Sequence, residues 1–229
     1  MFLGHFAVAL GAKRAAPKTS LGTLVLAAQF ADLLWPVFLL LGWEQVRIVP
    51  GVTRVTPLDF VSYPYSHSLV AQLLWGLALG LVYFALRRNA RAGVVLAACV
   101  PSHWVLDYVA HRPDLPLFPG GARYGLGLWD SFPATLSGEF GLFAIGISLY
   151  VTVTRAKDRI GKWALWSLLT FLPAVYIASV VSPPPPSVQA IAVSALAMWL
   201  IVPWAAWADR HRSTKEQAGS GRAAGGGLA

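Results

Sequence analysis

The chain has 229 residues, of which 56% are hydrophobic and only 12% charged, with Trp at ten positions and a mean hydropathy of +0.59. Soluble domains carry about 25% charged residues, so a soluble enzyme is excluded and an integral membrane protein is expected. The formal net charge of +8 falls in short Lys/Arg clusters between apolar runs, a topology signal rather than a nucleic-acid footprint, and the single Cys99 rules out a disulfide framework or a cysteine metal site.

In chain order, the opening "MFLGHFAVALGAKR" carries its charges after the apolar stretch. A secretory signal carries them before it, so this segment is expected to belong to the mature protein. Its apolar part, residues 2–12, is too short to cross a bilayer and is read as a half-inserted helix. A full span needs about 20 apolar residues, and six stretches qualify: roughly 21–43, 68–86, 92–110, 133–154, 163–182 and 187–207. Pro36, Pro101, Pro173 and Pro203 lie inside them, which membrane helices tolerate when neighbours satisfy the freed carbonyls. "SPPPPS" (182–187) predicts a rigid turn. From Ser213 onward the chain is Gly-rich and polar, a composition that favours disorder. The expected fold is therefore all-α: a polytopic bundle of six transmembrane helices plus the N-terminal half-helix. It forms a single domain over 1–212, followed by a disordered cytoplasmic tail over 213–229. No internal repeat supports an inverted-repeat transporter.

Orientation follows from Lys and Arg. Threading six spans places Lys13/Arg14/Lys18, Arg87/Arg88/Arg91, Arg155/Lys157/Arg159/Lys162 and Arg210/Arg212/Lys215 on one side. That side is expected to be the cytoplasmic face of an inner (plasma) membrane. The 44–67 loop, the 111–132 loop and the proline turn fall opposite. Trp43, Tyr63, Tyr65, Tyr124 and Trp129 fit an aromatic belt there.

Asp32, Asp107 and Glu139 interrupt the spans, and His5, His67, His103 and His111 lie in or at the ends of apolar segments. Intramembrane ionisable groups are costly and mark function by default. With a rise of about 1.5 Å per residue, all of these can converge in the outer half of the membrane. His103, Asp107 and His111 recur at four-residue intervals and form one helix stripe. A His and a carboxylate four apart can ligate one cation. Neutralising such a cluster in a low-dielectric setting calls for positive charge, and imidazole with carboxylate suits a divalent metal: zinc, with manganese or iron as alternatives. Each residue alone has a plainer reading as packing, capping or a proton relay.

These motifs resemble the bacterial inner-membrane metal-dependent hydrolase family, which includes the LexA-regulated membrane hydrolases. Its pattern of Gly-His, "PDxD", "THS" and "SHxxxD" is matched in order by Gly4-His5, "FADLLWP" (Asp32), "YSHSL" (His67, Ser68) and "SHWVLD" (His103, Asp107), across roughly residues 4–120. The "PDxD" element has lost its proline and its second acid, Leu34 standing in that place, and no "HR" precedes the "YSHS". Fewer ligands favour a mononuclear site over a two-metal one.

The resemblance implies a membrane hydrolase with His5, Asp32, His67, His103 and Asp107 as the ligand pool and Glu139 or Asp107 as base. His111 and Asp114 are accessory candidates, and Ser68 is expected to orient His67. A site at that depth suits a lipid or lipid-linked phosphate ester, with Arg112 and Arg123 holding an anionic head group and Arg47 and Arg54 facing them. Membrane lipids are the expected partners; the chain does not set an oligomeric state. The competing readings are a small transporter or channel using the buried acids as an ion or proton path, and a structural membrane protein whose polar cluster fixes helix packing.

Overall fold

In the computed structural model, which describes residues 1–215, the chain folds as a bundle of apolar helices. The helices are α1 (Phe2–Ala15), α2 (Leu21–Ala28), α3 (Phe30–Leu40), α4 (Pro64–His67), α5 (Leu69–Arg87), α6 (Ala90–Ala110), α7 (Phe132–Val153), α8 (Arg159–Val181), α9 (Val188–Leu196) and α10 (Ile201–Arg210). A 3₁₀ turn, Ala197–Leu200, joins the last two into one apolar rod. Five helices are long and apolar enough to cross a membrane, and a sixth crossing exists if α2 and α3 count as one.

The first span differs from the sequence expectation. It breaks at Gln29, and α2 and α3 bend by 57°. The consequence is a backbone carbonyl, that of Ala28, left free to serve a side chain.

The surface is inverted relative to a soluble protein. Leu74, Leu77, Leu81 and Leu86 of α5 are exposed, and that helix buries its small residues instead. Gly76 and Gly80 face α6 so closely that a β-carbon would sit 2.5 Å from the Ala97 carbonyl oxygen and 2.6 Å from that of Gly93. Small residues four apart let membrane helices meet backbone to backbone.

The N-terminal half-helix is a central element. α1 runs along α7 and also touches α2 and α6, and Leu3, Phe6 and Leu10 join Leu24, Leu96, Phe143 and Leu165 in the core. Gly146 of α7 admits it, because a β-carbon there would lie 2.6 Å from the Ala7 Cα. Lys13, expected as a topology charge, is buried at the far end of α1. Its Nζ donates to Asp209 Oδ2 at 2.6 Å and to the Thr19 carbonyl at 2.8 Å. Tyr150 donates to the other Asp209 oxygen at 2.6 Å. The same end carries the antiparallel pair β5 (Thr154–Ala156) and β6 (Arg212–Thr214). Ser213 and Thr214 thus belong to the fold rather than to a tail beginning at 213, while 216–229 lie outside the described residues.

The opposite end is roofed by a hairpin of β1 (Gln45–Ile48) and β2 (Leu58–Ser62), by the short pair β3 (Leu115–Pro116) and β4 (Arg123–Tyr124), and by α4. Pro113 lies just beyond α6, which ends at Ala110 with His111 as its cap.

Candidate metal centre

Under that roof the chain gathers His5 from α1, Asp32 from α3, His67 from α4, and His103 and Asp107 from α6. Two overlapping groups have ligand atoms close enough to share an ion: His5, His103 and Asp107, and Asp32, His67 and His103. His67 Nε2 lies 3.4 Å from Asp32 Oδ1 and 3.8 Å from Asp107 Oδ2. His103 Nε2 lies 3.6 Å and 3.2 Å from the same two oxygens. Ligands about 2.0–2.1 Å from a tetrahedral zinc stand about 3.3 Å from one another. The two carboxylates therefore bracket the two imidazoles in a His₂Asp₂ frame, in which Asp32, His67 and His103 form one close trio and Asp107 stands on the far side of His103 with His5. His5 is on the other side of Asp107, its Nε2 3.1 Å from Oδ1 and its ring stacked on His103 with centroids 3.5 Å apart.

Both imidazoles of the frame are set by partners behind them. His103 Nδ1 lies 3.0 Å from the Ala28 carbonyl, which can only accept. The proton is therefore on Nδ1, and the Nε2 lone pair, buried and without a hydrogen-bond partner, is aimed into the frame. This is the use made of the break after α2. His67 Nδ1 is 2.7 Å from Ser66 Oγ, and Ser66 gives its own proton to Glu44 Oε2 at 2.6 Å. Ser66 Oγ must then accept from His67, which again leaves Nε2 free. Glu44 Oε1 in turn takes the Tyr65 and Ser66 amides at 2.8 Å each. Such outer partners fix tautomer and ring orientation in metal sites. Ser66 and Glu44 were missed in the sequence, where only the "YSHS" adjacency pointed to a serine.

The expected orienting residue, Ser68, does something else: its Oγ accepts from the Ala71 amide at 3.2 Å and caps α5. Glu139 also departs from expectation. Its two carboxylate oxygens accept the Phe2 and Gly4 amides at 2.9 Å each, so it caps the first turn of α1 rather than facing the frame. An acid so engaged is also withdrawn from an ion path.

The donors fit a cation. With neutral imidazoles the frame carries the two negative charges of Asp32 and Asp107, and the Met1 ammonium already sits on this anionic side, ion-paired with Asp107 and 3.1 Å from His5 Nε2. Asp32, 26% exposed at its side chain, opens onto a chamber of about 140 Å³ also lined by Trp35, Phe60, His67, His111 and Trp129. Trp129 and Tyr63 are thus not belt residues. Trp129 packs on His111 with centroids 4.2 Å apart, and Tyr63 is buried beneath it. Trp43, Tyr65 and Tyr124 are exposed.

His111 points toward the frame, its Nε2 3.9 Å from Asp107 Oδ2. Behind it Nδ1 lies 2.9 Å from Asp114 Oδ1, and the Tyr63 hydroxyl donates to the same oxygen at 3.0 Å. Burial pushes the Asp114 carboxyl up, but His111, Arg112 and Tyr63 outweigh it and hold it below the ordinary range. Arg112 bonds Asp114 Oδ2 through Nε at 3.0 Å and pairs with Asp59 through Nη2. Arg123 is exposed, and its guanidinium donates to the Val61 carbonyl at 2.7 Å. Arg47, Arg112 and Arg123 share a cleft of about 430 Å³ with Asp59 and Asp114.

Comparison with protein-family models, with curated proteins and with solved structures gave no match.

Proposed function

We propose that the chain is a membrane-embedded metal-dependent hydrolase of the kind its motifs resemble, acting on a lipid or lipid-linked phosphate ester. The observation that carries this reading is the buried His67/His103/Asp32/Asp107 frame, with both imidazole tautomers fixed so that their lone pairs converge. His67, His103 and Asp32 would hold the ion and leave one position open for water, with Asp107 and His5 beside them as further donors, and zinc is the metal that a His/Asp set of this kind suits first. A divalent cation bound there supplies a lowered pKa for a coordinated water and polarises an ester oxygen.

The chain's own residues do the rest. Asp107, which also lines the chamber and lies outside the Asp32/His67/His103 trio, is placed to take a proton from an incoming water. His111, backed by the anionic Asp114, is placed to give one to the leaving oxygen, a step for which the sequence reading, naming only Glu139 or Asp107 as base, had no donor. Phe60, Trp35 and Trp129 keep bulk water from the chamber. Arg123 and Arg47 hold the anionic head group, Arg112 being occupied by its two carboxylates. The site lies at the end opposite the Lys/Arg clusters, which on the positive-inside rule is the outer side of the plasma membrane, with residue 215 cytoplasmic.

The test is metal analysis by mass spectrometry of protein purified in mild detergent, beside His67→Ala and His103→Ala. About one equivalent of a transition metal in the wild type, lost in both variants, is expected, together with chelator-sensitive phosphate release from lipid phosphate esters. Wild-type protein with no stoichiometric metal after zinc, manganese or iron supplementation overturns the reading.

A further inference from the structure

A second cavity adjoins the chamber. It is a groove of about 400 Å³ between α8, α9 and the β1–β2 hairpin, and it shares Phe2, Phe60 and Trp129 with the chamber. Its outer walls are Tyr176 and Val180 of α8 and Ile191 and Ser194 of α9. The groove exists because two consecutive helices do not pack together. Although only residues 182–187 separate them, α8 leans on α10 while α9 leans on α3 and β1. Pro183 and Pro185 of that turn line the groove, as do Val55, Thr56 and Pro57 of the hairpin.

Phe60 is the partition on which the cavities meet. It lines the groove, the chamber and the arginine cleft alike, and its ring packs on Tyr63 at 5.1 Å, His111 at 4.9 Å and Trp35 at 5.7 Å. A trough lined mainly by apolar side chains, with Glu139 and a few hydroxyls among them, therefore meets a His/Asp chamber at this ring, and a cleft with three arginines and two aspartates begins on its other side. That sequence of surfaces, mainly apolar, then ligating, then arginine-bearing, follows the order of a phospholipid read from tail to head.

We infer that the α8–α9 groove takes an acyl chain of a membrane phospholipid that enters laterally from the bilayer, with the phosphate at the chamber and the head group toward Arg47 and Arg123. This rests on the proposed hydrolase reading for its purpose, though not for its detection. The exposed leucines of α5 adjoin no such chamber, whereas the groove meets the chamber at Phe2, Phe60 and Trp129.

The test uses the full chain in nanodiscs of phosphatidylglycerol containing a trace of a phospholipid with a diazirine at mid-chain. Labelling of α8 and α9 peptides around Val180 and Ser194 is expected to exceed that of the α5 face at Leu74, Leu77 and Leu81 by several-fold. Ser194→Trp and, independently, Val180→Trp should bring it down to the α5 level while leaving α5 labelling unchanged. His103→Ala should leave groove labelling intact while removing metal, so loss of metal with retained labelling separates failure of the hydrolase reading from failure of the groove. Labelling equal to that of α5, or unmoved by both Trp variants, overturns the inference. So does a benzoylphenylalanine at position 194 that captures a second copy or residues 216–229 instead of lipid.

Discussion

Two serines flank His67, and the structure gives them opposite jobs. Ser66 holds the ring, while Ser68 holds the end of a helix. Ser66→Ala removes the acceptor that fixes the Nδ1 proton and leaves Glu44 with one buried oxygen unserved. Metal affinity should fall about 10–100-fold, the usual cost of losing an outer partner, as measured by competition with a chelator. Ser68→Ala should leave metal affinity unchanged and cost about 1 kcal/mol in unfolding free energy, the value of an N-cap. His111→Gln should keep the metal and lower kcat about 10²–10⁴-fold, the range for general acid–base groups; an unaffected rate would return His111 to a packing role. The ligand candidates were legible because a charged or imidazole side chain in an apolar run has no cheap alternative. Glu44 was not, because it follows the span in a polar loop and its role depends on α4 folding back over it. Glu139 misled for the complementary reason: its depth was right, but depth does not say that α1 arrives with two free amides to satisfy it.

At the scale of elements, the approach of α1 to α7 positions His5 and the Phe2 amide together. A side chain at position 146 meets the Ala7 backbone, not a flexible tip. Gly146→Leu should push α1 outward, cost about 1–3 kcal/mol as overpacking does, and weaken metal binding without contacting the frame. Chelator competition and thermal unfolding on the same sample check both effects. The break in the first span is likewise an element-level device. An unbroken helix would commit the Ala28 carbonyl to its own ladder, and His103 would lose its acceptor. Hydropathy did not show the break, since the apolar residues of 21–43 outweigh Gln29 and Asp32 and Pro36, the obvious breaker, sits inside α3 instead. The groove between α8 and α9 was equally hidden, because the proline turn reads as a tight connection whether or not the helices it joins touch.

For the whole molecule, the apolar stretches and the charge clusters outlined the bundle, since both are imposed by the bilayer and written locally. The tertiary use of Lys13 was not written locally. A lysine after an apolar stretch looks like a topology charge until Asp209, nearly the full chain away, comes to meet it. Lys13→Met strands that carboxylate in the core, and removing one partner of a buried pair costs about 3–5 kcal/mol. Thermal unfolding should show the loss, with metal content unchanged because the pair lies at the opposite end of α1 from His5. The clamp of Glu139 on the first turn of α1 also carries a consequence for biosynthesis. α1 is made before α7, yet the acid that satisfies its amides and the glycine that admits it both belong to α7. While the ribosome is still short of that segment, the opening helix has no berth, and the cluster beneath the roof stays open to water. The His/Asp cluster is therefore completed only after α7 is made, and a product truncated before α7 should insert its early spans yet fail to retain a metal.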